Sequence, residues 1–133
     1  MDSKTQIRIL LEADAVLGII ALCDAGDVEL VSSDALLYET RRNPNSIRKN
    51  HALAILENAN EMIKLNDTIE KRAKAFVAEG IKPLDALHLA SAEAAQVDYL
   101  CTCDDRFLKK ANQLSELSVR VVSPLNLVEE LDL

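Results

Sequence analysis

The stretch P-L-D-A-L-H-L-A-S-A-E-A-A-Q-V-D-Y-L-C-T-C-D-D-R-F-L, Pro83 to Leu108, decides the fold. Pro83 stands at the start of a helix running from Leu84 to Gln96, where its missing N–H costs nothing. The Ala and Ser content of that helix suits close packing against a neighbour. Tyr99 to Thr102 is a short apolar run and reads as a strand. Asp104 or Asp105 then caps a helix from Asp105 to about Asn112. The same alternation continues outward in both directions. Toward the C-terminus, Val119 to Val122 is a strand, and Pro124 opens a last short helix ending near Leu131. Toward the N-terminus, Asn66-Asp67-Thr68 caps a helix to about Glu79 that Gly80 ends, and Met62 to Leu65 precedes it as a strand. Earlier still, a helix from about Ser46 to Asn60 follows the break Asn43-Pro44-Asn45-Ser46. Ser32 or Ser33 caps a helix to about Arg42, and Val28 to Val31 is a strand.

Residues 3–25 form the opening helix of this reading. Ser3 is its N-cap, three places before Gln6, and Gly26 its stop. Arg8 and Glu12 share one side at i,i+4 spacing. No polar side chain falls between Asp14 and Asp24. The second half of the helix is therefore apolar all round, which places it in a core or in a partner interface.

Short apolar strands alternating with helices predict an α/β domain. Its sheet is mostly parallel, of four or so short strands, with helices on both faces. The chain has 133 residues, enough for one compact domain and too few for two of ordinary size. No internal repeat, low-complexity stretch or linker divides it.

Composition narrows the function classes. Apolar residues are 49% and charged residues 28%, which argues against disorder and against a small disulfide scaffold. The longest apolar stretch, Ala15 to Cys23, is far short of the roughly 20 residues needed to cross a bilayer. No basic, apolar, cleavable leader is present, so the cytoplasm is the expected location. The net charge is −7, the opposite sign from a protein that grips nucleic acid through its backbone charge alone. Aromatics are 3% with no Trp, so broad stacking platforms are not expected. Any nucleic-acid role must rest on a local site. Cys23, Cys101 and Cys103 are odd in number, and His51 and His88 are the sole histidines, so neither a disulfide framework nor a zinc site is indicated. Buried free thiols are the expectation, with Cys101 and Cys103 on one face of a strand.

In an open parallel sheet, ligands bind beyond the carboxyl ends of the strands. Asp104 and Asp105 follow one strand directly, and Glu39 lies in the helix after another. Asp85 sits in the first turn of the Ala-rich helix, where the helix dipole favours a carboxylate. Spacing alone does not bring Asp85 beside the others. Each acid also has a plain reading: Asp85 as a dipole-matching acid, Glu39 as a solvated helix residue, Asp104 or Asp105 as a cap. His88, one turn after Asp85, reads as a packed histidine or an assistant to the acids. Arg41, Arg42, Arg48 and Lys49 around the Pro44 break, and Lys109 and Lys110 beside the acidic turn, are a solvated rim or meet phosphates. Where Glu39, Asp85 and Asp104 do converge, repulsion demands a cation. Hard divalent ions suit oxygen donors, and Mg²⁺ keeps waters for substrate and nucleophile. One or two such ions orient water against a phosphodiester without a Ser, Cys or His nucleophile.

At these residues the chain resembles a PIN-domain nuclease of the small bacterial and archaeal kind. The matching segments are S-S-D-A-L-L-Y-E-T at 32–40, P-L-D-A-L-H-L-A-S-A-E at 83–93 and Y-L-C-T-C-D-D-R-F-L at 99–108, with S-P-L-N-L-V after the last strand. The resemblance covers essentially the whole chain. It implies a PIN-like three-layer fold and a metal-dependent endoribonuclease. Glu39, Asp85 and Asp104 would be the catalytic and metal-holding acids, for Mg²⁺ or Mn²⁺, with Asp105 and His88 accessory. It further implies RNA as substrate, a homodimer, and an antitoxin protein as partner, since many members are toxins so restrained. A non-catalytic PIN-like module for protein interaction or oligomerisation is the alternative. A phosphate-accepting signalling domain is disfavoured, because it needs an acidic pair after a first strand near the start of the chain.

The resemblance has one departure. PIN domains open with a strand ending in an aspartate that ligands the metal, written L-D-x-N or L-D-x-C. Here Met1-Asp2-Ser3-Lys4 leads directly into the first long helix, and Asp2 stands too close to it to replace that ligand. The expectation is a site with at most three of four acids that binds Mg²⁺ weakly. A sheet lacking its middle strand would also have edges to cover. The explanations open to this reading are a start codon placed too late, a trimmed chain or natural loss, with rearrangement or another subunit as ways to close the gap.

Overall fold

The computed structural model describes residues 3–131. The elements follow the predicted alternation. They are α1 (Ser3–Asp24), β1 (Val31–Ser33), α2 (Asp34–Arg41), α3 (Ser46–Glu57), β2 (Glu61–Ile63) and α4 (Asp67–Ala78). Then come α5 (Pro83–Ala95), β3 (Tyr99–Cys101), α6 (Asp105–Ala111), β4 (Arg120–Val122) and α7 (Pro124–Glu130). Local chemistry sets most of these boundaries. The side chains of Ser33, Asn45, Asn66, Asp104 and Ser123 each accept a backbone N–H in the first turn of the helix that follows. Each cap satisfies donors that a helix start leaves unpaired. Gly80 takes φ +100° just beyond α4, where a side chain would be strained. Asp2 lies outside the described residues, as do the side chains of Ser3, Gln6 and Arg8.

The four short strands are parallel, in an α/β arrangement. They pair as two ladders rather than one sheet. In the first, Val31 faces Glu61 and Ser33 faces Ile63; in the second, Tyr99 faces Arg120 and Cys101 faces Val122. α5 packs against β1, β2 and β3, and more extensively against α4, so one helix ties both ladders together. The main core lies along that helix. It joins Ile69, Ala73 and Phe76 of α4 to Ala86, Leu89 and Ala90 of α5, with Phe107 and Ala111 of α6 and Val121 of β4. Phe76 and Leu89 are almost wholly removed from water. Burying each such side chain favours folding by about 1.5–3 kcal/mol. The small residues of α5 let α4 approach closely, as the Ala and Ser content predicted.

Three expectations need correction. The first strand is Val31–Ser33, not Val28–Val31. Pairing decides it: Leu30 N–H donates to Asn60 Oδ1 and Asn60 N–H to the Leu30 carbonyl, and parallel pairing with β2 starts only at Val31. β-Branched propensity located the region, and tertiary partners set the register. Second, of the two placements expected for the apolar half of α1, a core or a partner interface, the main core is not the one it takes. Ala15 is buried, but Leu17 is 59% exposed and the helix packs mainly on α7. Third, Cys101 and Cys103 are exposed rather than buried and in no disulfide, and Cys23 is half-buried. Among the described residues β3 is bonded to a strand on one side only, which leaves its end at Cys101 open.

Candidate active site

Both parallel ladders point their carboxyl ends into helix starts. β1 runs into α2 through the Ser33 cap, and β3 runs into α6 through the turn Thr102–Asp104. α2 packs on α5, which begins with Pro83 and carries Asp85 in its first turn. These connections bring together acids that are 46 and 19 residues apart in the chain, Glu39 with Asp85 and Asp85 with Asp104.

Asp85 is half-buried and its charge is resisted from two sides. Burial is the main cause that pushes its carboxyl above the ordinary carboxylate value. The negative charges of Asp104 and Glu39 push it the same way, against the pull of His88 and Lys82. Asp85 thus feels the charges of both Glu39 and Asp104. Asp85 does not cap α5, whose N-cap Lys82 supplies no side-chain bond; it stands in the first turn, where the dipole-matching reading puts it.

Asp104 does cap. Its Oδ1 accepts the N–H groups of Arg106 at 2.9 Å and Phe107 at 3.2 Å, while Thr102 Oγ1 accepts the Asp104 N–H at 3.1 Å. These bonds engage one carboxylate oxygen and hold the side chain at the corner between β3 and α6. Asp105 is exposed in the first turn of α6 beside it.

Glu39 is tied to His88. His88 Nε2 and Glu39 Oε2 are 2.9 Å apart, with the imidazole 11% and the carboxylate 52% exposed. His88 is thus packed and at the same time in contact with Glu39. Its place one turn after Asp85 on α5 links α2 to α5 at the site. Sequence reasoning did not find this bond, because nothing local pairs residues 49 positions apart. It also missed that Asp34 Oδ2 accepts the Leu65 N–H at 2.7 Å, which fastens the start of α2 to the end of β2.

Oxygen donors and a carboxyl whose charged form is disfavoured by its neighbours are what a hard divalent cation would relieve. The donors do not close around one point by themselves. Among the described residues, no three His, Cys, Asp or Glu side chains are grouped closely enough to hold a metal ion. An ion here would complete its shell largely with water, the habit of Mg²⁺. The site is a surface corner rather than a cavity. An open cavity of about 620 Å³ between Gln96, Asp98, Tyr99, Ser118 and Arg120 lies at the opposite, amino ends of β3 and β4. Among the described residues, no helix is long and apolar enough to cross a membrane.

One protein family, described as PIN domain, has a sequence model that matches residues 3–113. No match was found among curated proteins or among solved structures.

Proposed function

The chain belongs to the PIN-domain family, a nuclease superfamily, and from that premise we propose that it is a metal-dependent endoribonuclease. The observation that carries the reading is the raised Asp85 carboxyl, pushed in part by Asp104 and Glu39. Asp104 and Glu39, from separate elements, disfavour the Asp85 charge together with burial, a cost that a bound cation would offset. Glu39, Asp85 and Asp104 would hold Mg²⁺ or Mn²⁺, with Asp105 assisting. When bound, the ion supplies a water of lowered pKa and a counter-charge for the phosphodiester. The residues of the chain do the rest. His88 keeps Glu39 turned toward α5, and the cap bonds fix Asp104 while leaving Oδ2 outside the capping bonds. Restraint by an antitoxin protein and homodimerisation belong to the same reading.

A substitution at Asp104 tests it cleanly. Asn is as good an N-cap as Asp, so Asp104→Asn removes the charge and keeps α6. With Mn²⁺ and a mixed RNA substrate, we expect cleavage to fall by at least about a hundredfold, the upper range for disturbed metal sites. Cleavage that survives the substitution rules out the proposed site. The alternative is a non-catalytic interaction module, favoured by the lack of a ready-made metal cage among the described residues. No Mn²⁺-dependent cleavage by the unaltered protein decides for the module.

A further inference from the structure

The segment Tyr38 to His51 has the opposite charge balance from the rest of the molecule. It holds Arg41, Arg42, Arg48 and Lys49 against the single carboxylate Glu39, a formal +3 within a chain of −7. The remainder of the protein therefore carries −10. These cations sit on the α2–α3 hairpin, where α3 has no buried residue; Arg41, Arg42 and Arg48 are exposed and Lys49 is partly buried. Among the described residues, none of the four is in an ion pair with a carboxylate. Cations left unpaired on an acidic protein are available to an external anion.

One pair in this patch is already ordered. The Arg42 guanidinium lies 5.1 Å from the centroid of the Tyr38 ring, and its Nη1 donates to Tyr38 Oη at 3.0 Å. Tyr38 is 54% exposed, a large aromatic left in water. Their i,i+4 spacing puts them on one stripe of α2, and Arg42 is also i+3 from Glu39. The stacked pair therefore borders the acid that leads into the candidate active site. The turn beyond is braced: Asn43 Oδ1 accepts the Asn45 N–H, and Asn45 Oδ1 accepts the Arg48 N–H. α3 and its cations are thus held in fixed relation to α2.

We propose that the Tyr38–Arg42 pair is the docking point for single-stranded RNA beside the active site, with Arg42 on a phosphate and Tyr38 against a base. The inference rests on the ribonuclease reading above and assigns it a substrate-holding surface. Acids that hold a metal repel the phosphates on either side of the scissile bond. A guanidinium one helical turn away counters that repulsion and offers paired donors to phosphate oxygens. The ring offers a face that any base can stack on, which suits a single strand and not a duplex. Arg41, Arg48 and Lys49 extend the positive track along the hairpin.

The test measures binding apart from cleavage. Fluorescence anisotropy follows a labelled 12-nucleotide unstructured RNA in EDTA, at several salt concentrations, with Mn²⁺-dependent cleavage read on the same preparations. Tyr38→Ala and Arg42→Ala should each weaken binding by about tenfold, within the range for loss of a stacked base or a charged phosphate contact. Arg42→Ala should also flatten the salt dependence by about 0.7 in log–log slope. Tyr38→Phe, which keeps the ring, should bind within about threefold of the parent. Lys74→Ala on α4 makes the same charge change elsewhere and should bind unchanged. Circular dichroism melts confirm that each variant is folded. Parent-like binding by Arg42→Ala overturns the proposal, and so does a Lys74→Ala loss equal to that of Arg42→Ala. If Arg42→Ala weakens a poly-glutamate peptide as much as RNA while Tyr38→Ala leaves RNA binding intact, the patch recognises acidic protein and the proposal fails. Cleavage without an Arg42 effect retires the docking point alone. An Arg42 effect without cleavage retires the nuclease reading alone.

Discussion

The block formed by α4, α5 and α6 and the hairpin formed by α2 and α3 are built on different terms. The block supplies nearly all of the main core, with Phe76, Ile69 and Leu89 almost fully buried. Its edge is tied by Arg72, whose Nε donates to Glu93 Oε1 at 2.8 Å and whose guanidinium covers the Phe76 ring at 4.2 Å. The hairpin contributes Ala35 to the buried set, leaves Ile47 82% exposed, and follows a strand in which the buried Ser32 hydroxyl finds no hydrogen-bond partner among the described residues. The candidate site lies across the seam. Asp85, His88 and Asp104 belong to the block or its edge, and Glu39 belongs to the hairpin. The difference teaches that stability and site assembly have separate sources. The block determines whether the chain folds, and the hairpin determines whether the fourth side chain of the site is in place.

The largest effect should come from the block. Phe76→Ala removes a fully buried ring that also carries the Arg72 contact. A loss of about 3–5 kcal/mol is expected from transfer and cavity terms together. That is a large share of the stability of a domain this size. Urea unfolding followed by far-ultraviolet circular dichroism measures it. A loss under about 1 kcal/mol, the level of an ordinary surface change, would show that the block is not the stabilising half.

The same division explains how far the sequence could be read. The alternation of elements was legible because turn chemistry is local: Asn66 caps α4, Pro83 opens α5 and Gly80 ends α4. The packing of α5 was legible from its Ala and Ser content. The register of β1 was not, since Asn60, 30 residues away, fixes where pairing begins. The split into two ladders was not, because three-residue strands carry no pattern that names their partner. Exposure of Cys101 follows from that split and was equally hidden. At the site, the residue types were legible and their neighbourhood was not. Asp85 resembles any first-turn acid until tertiary contacts place Glu39 and Asp104 near it. His88 resembles any core histidine until its bond to Glu39 is seen.

A middle-sized effect of opposite sign should come from the seam. In the fold, burial, Asp104 and Glu39 hold the Asp85 carboxyl above its ordinary value. The charged form is thus disfavoured relative to the unfolded chain, so the contribution of Asp85 to stability falls as pH rises through the folded value. Below the unfolded value the acid is protonated in both states and contributes no such penalty. Asp85→Asn should therefore raise the melting temperature at neutral pH by a few degrees, on the order of other single stabilising changes. The gain should fade as pH is lowered through the carboxylate range. Melts in EDTA at a series of pH values check this, with metal excluded so that binding does not offset the loss. A gain that persists unchanged at acid pH breaks the electrostatic account, since amide and acid are then alike in charge.

The smallest effect should come from the hairpin, and it sharpens the comparison most. Ile47 sits at the second position of α3 and is 82% exposed. Little apolar area leaves water on folding, so Ile47→Ser should change stability by less than about 0.5 kcal/mol. The expected shift in melting temperature is no more than about 2 °C. Because a side chain covered by a second copy is stabilised by mass action, the melt should be run at two protein concentrations a hundredfold apart. A null result at both concentrations means that the hairpin is bare in solution, as its free cations require for RNA to reach them. A loss near 2 kcal/mol that grows with concentration means that another protomer covers Ile47. The hairpin would then be an interface, and its contrast with the block would reduce to a difference between buried within one chain and buried between two.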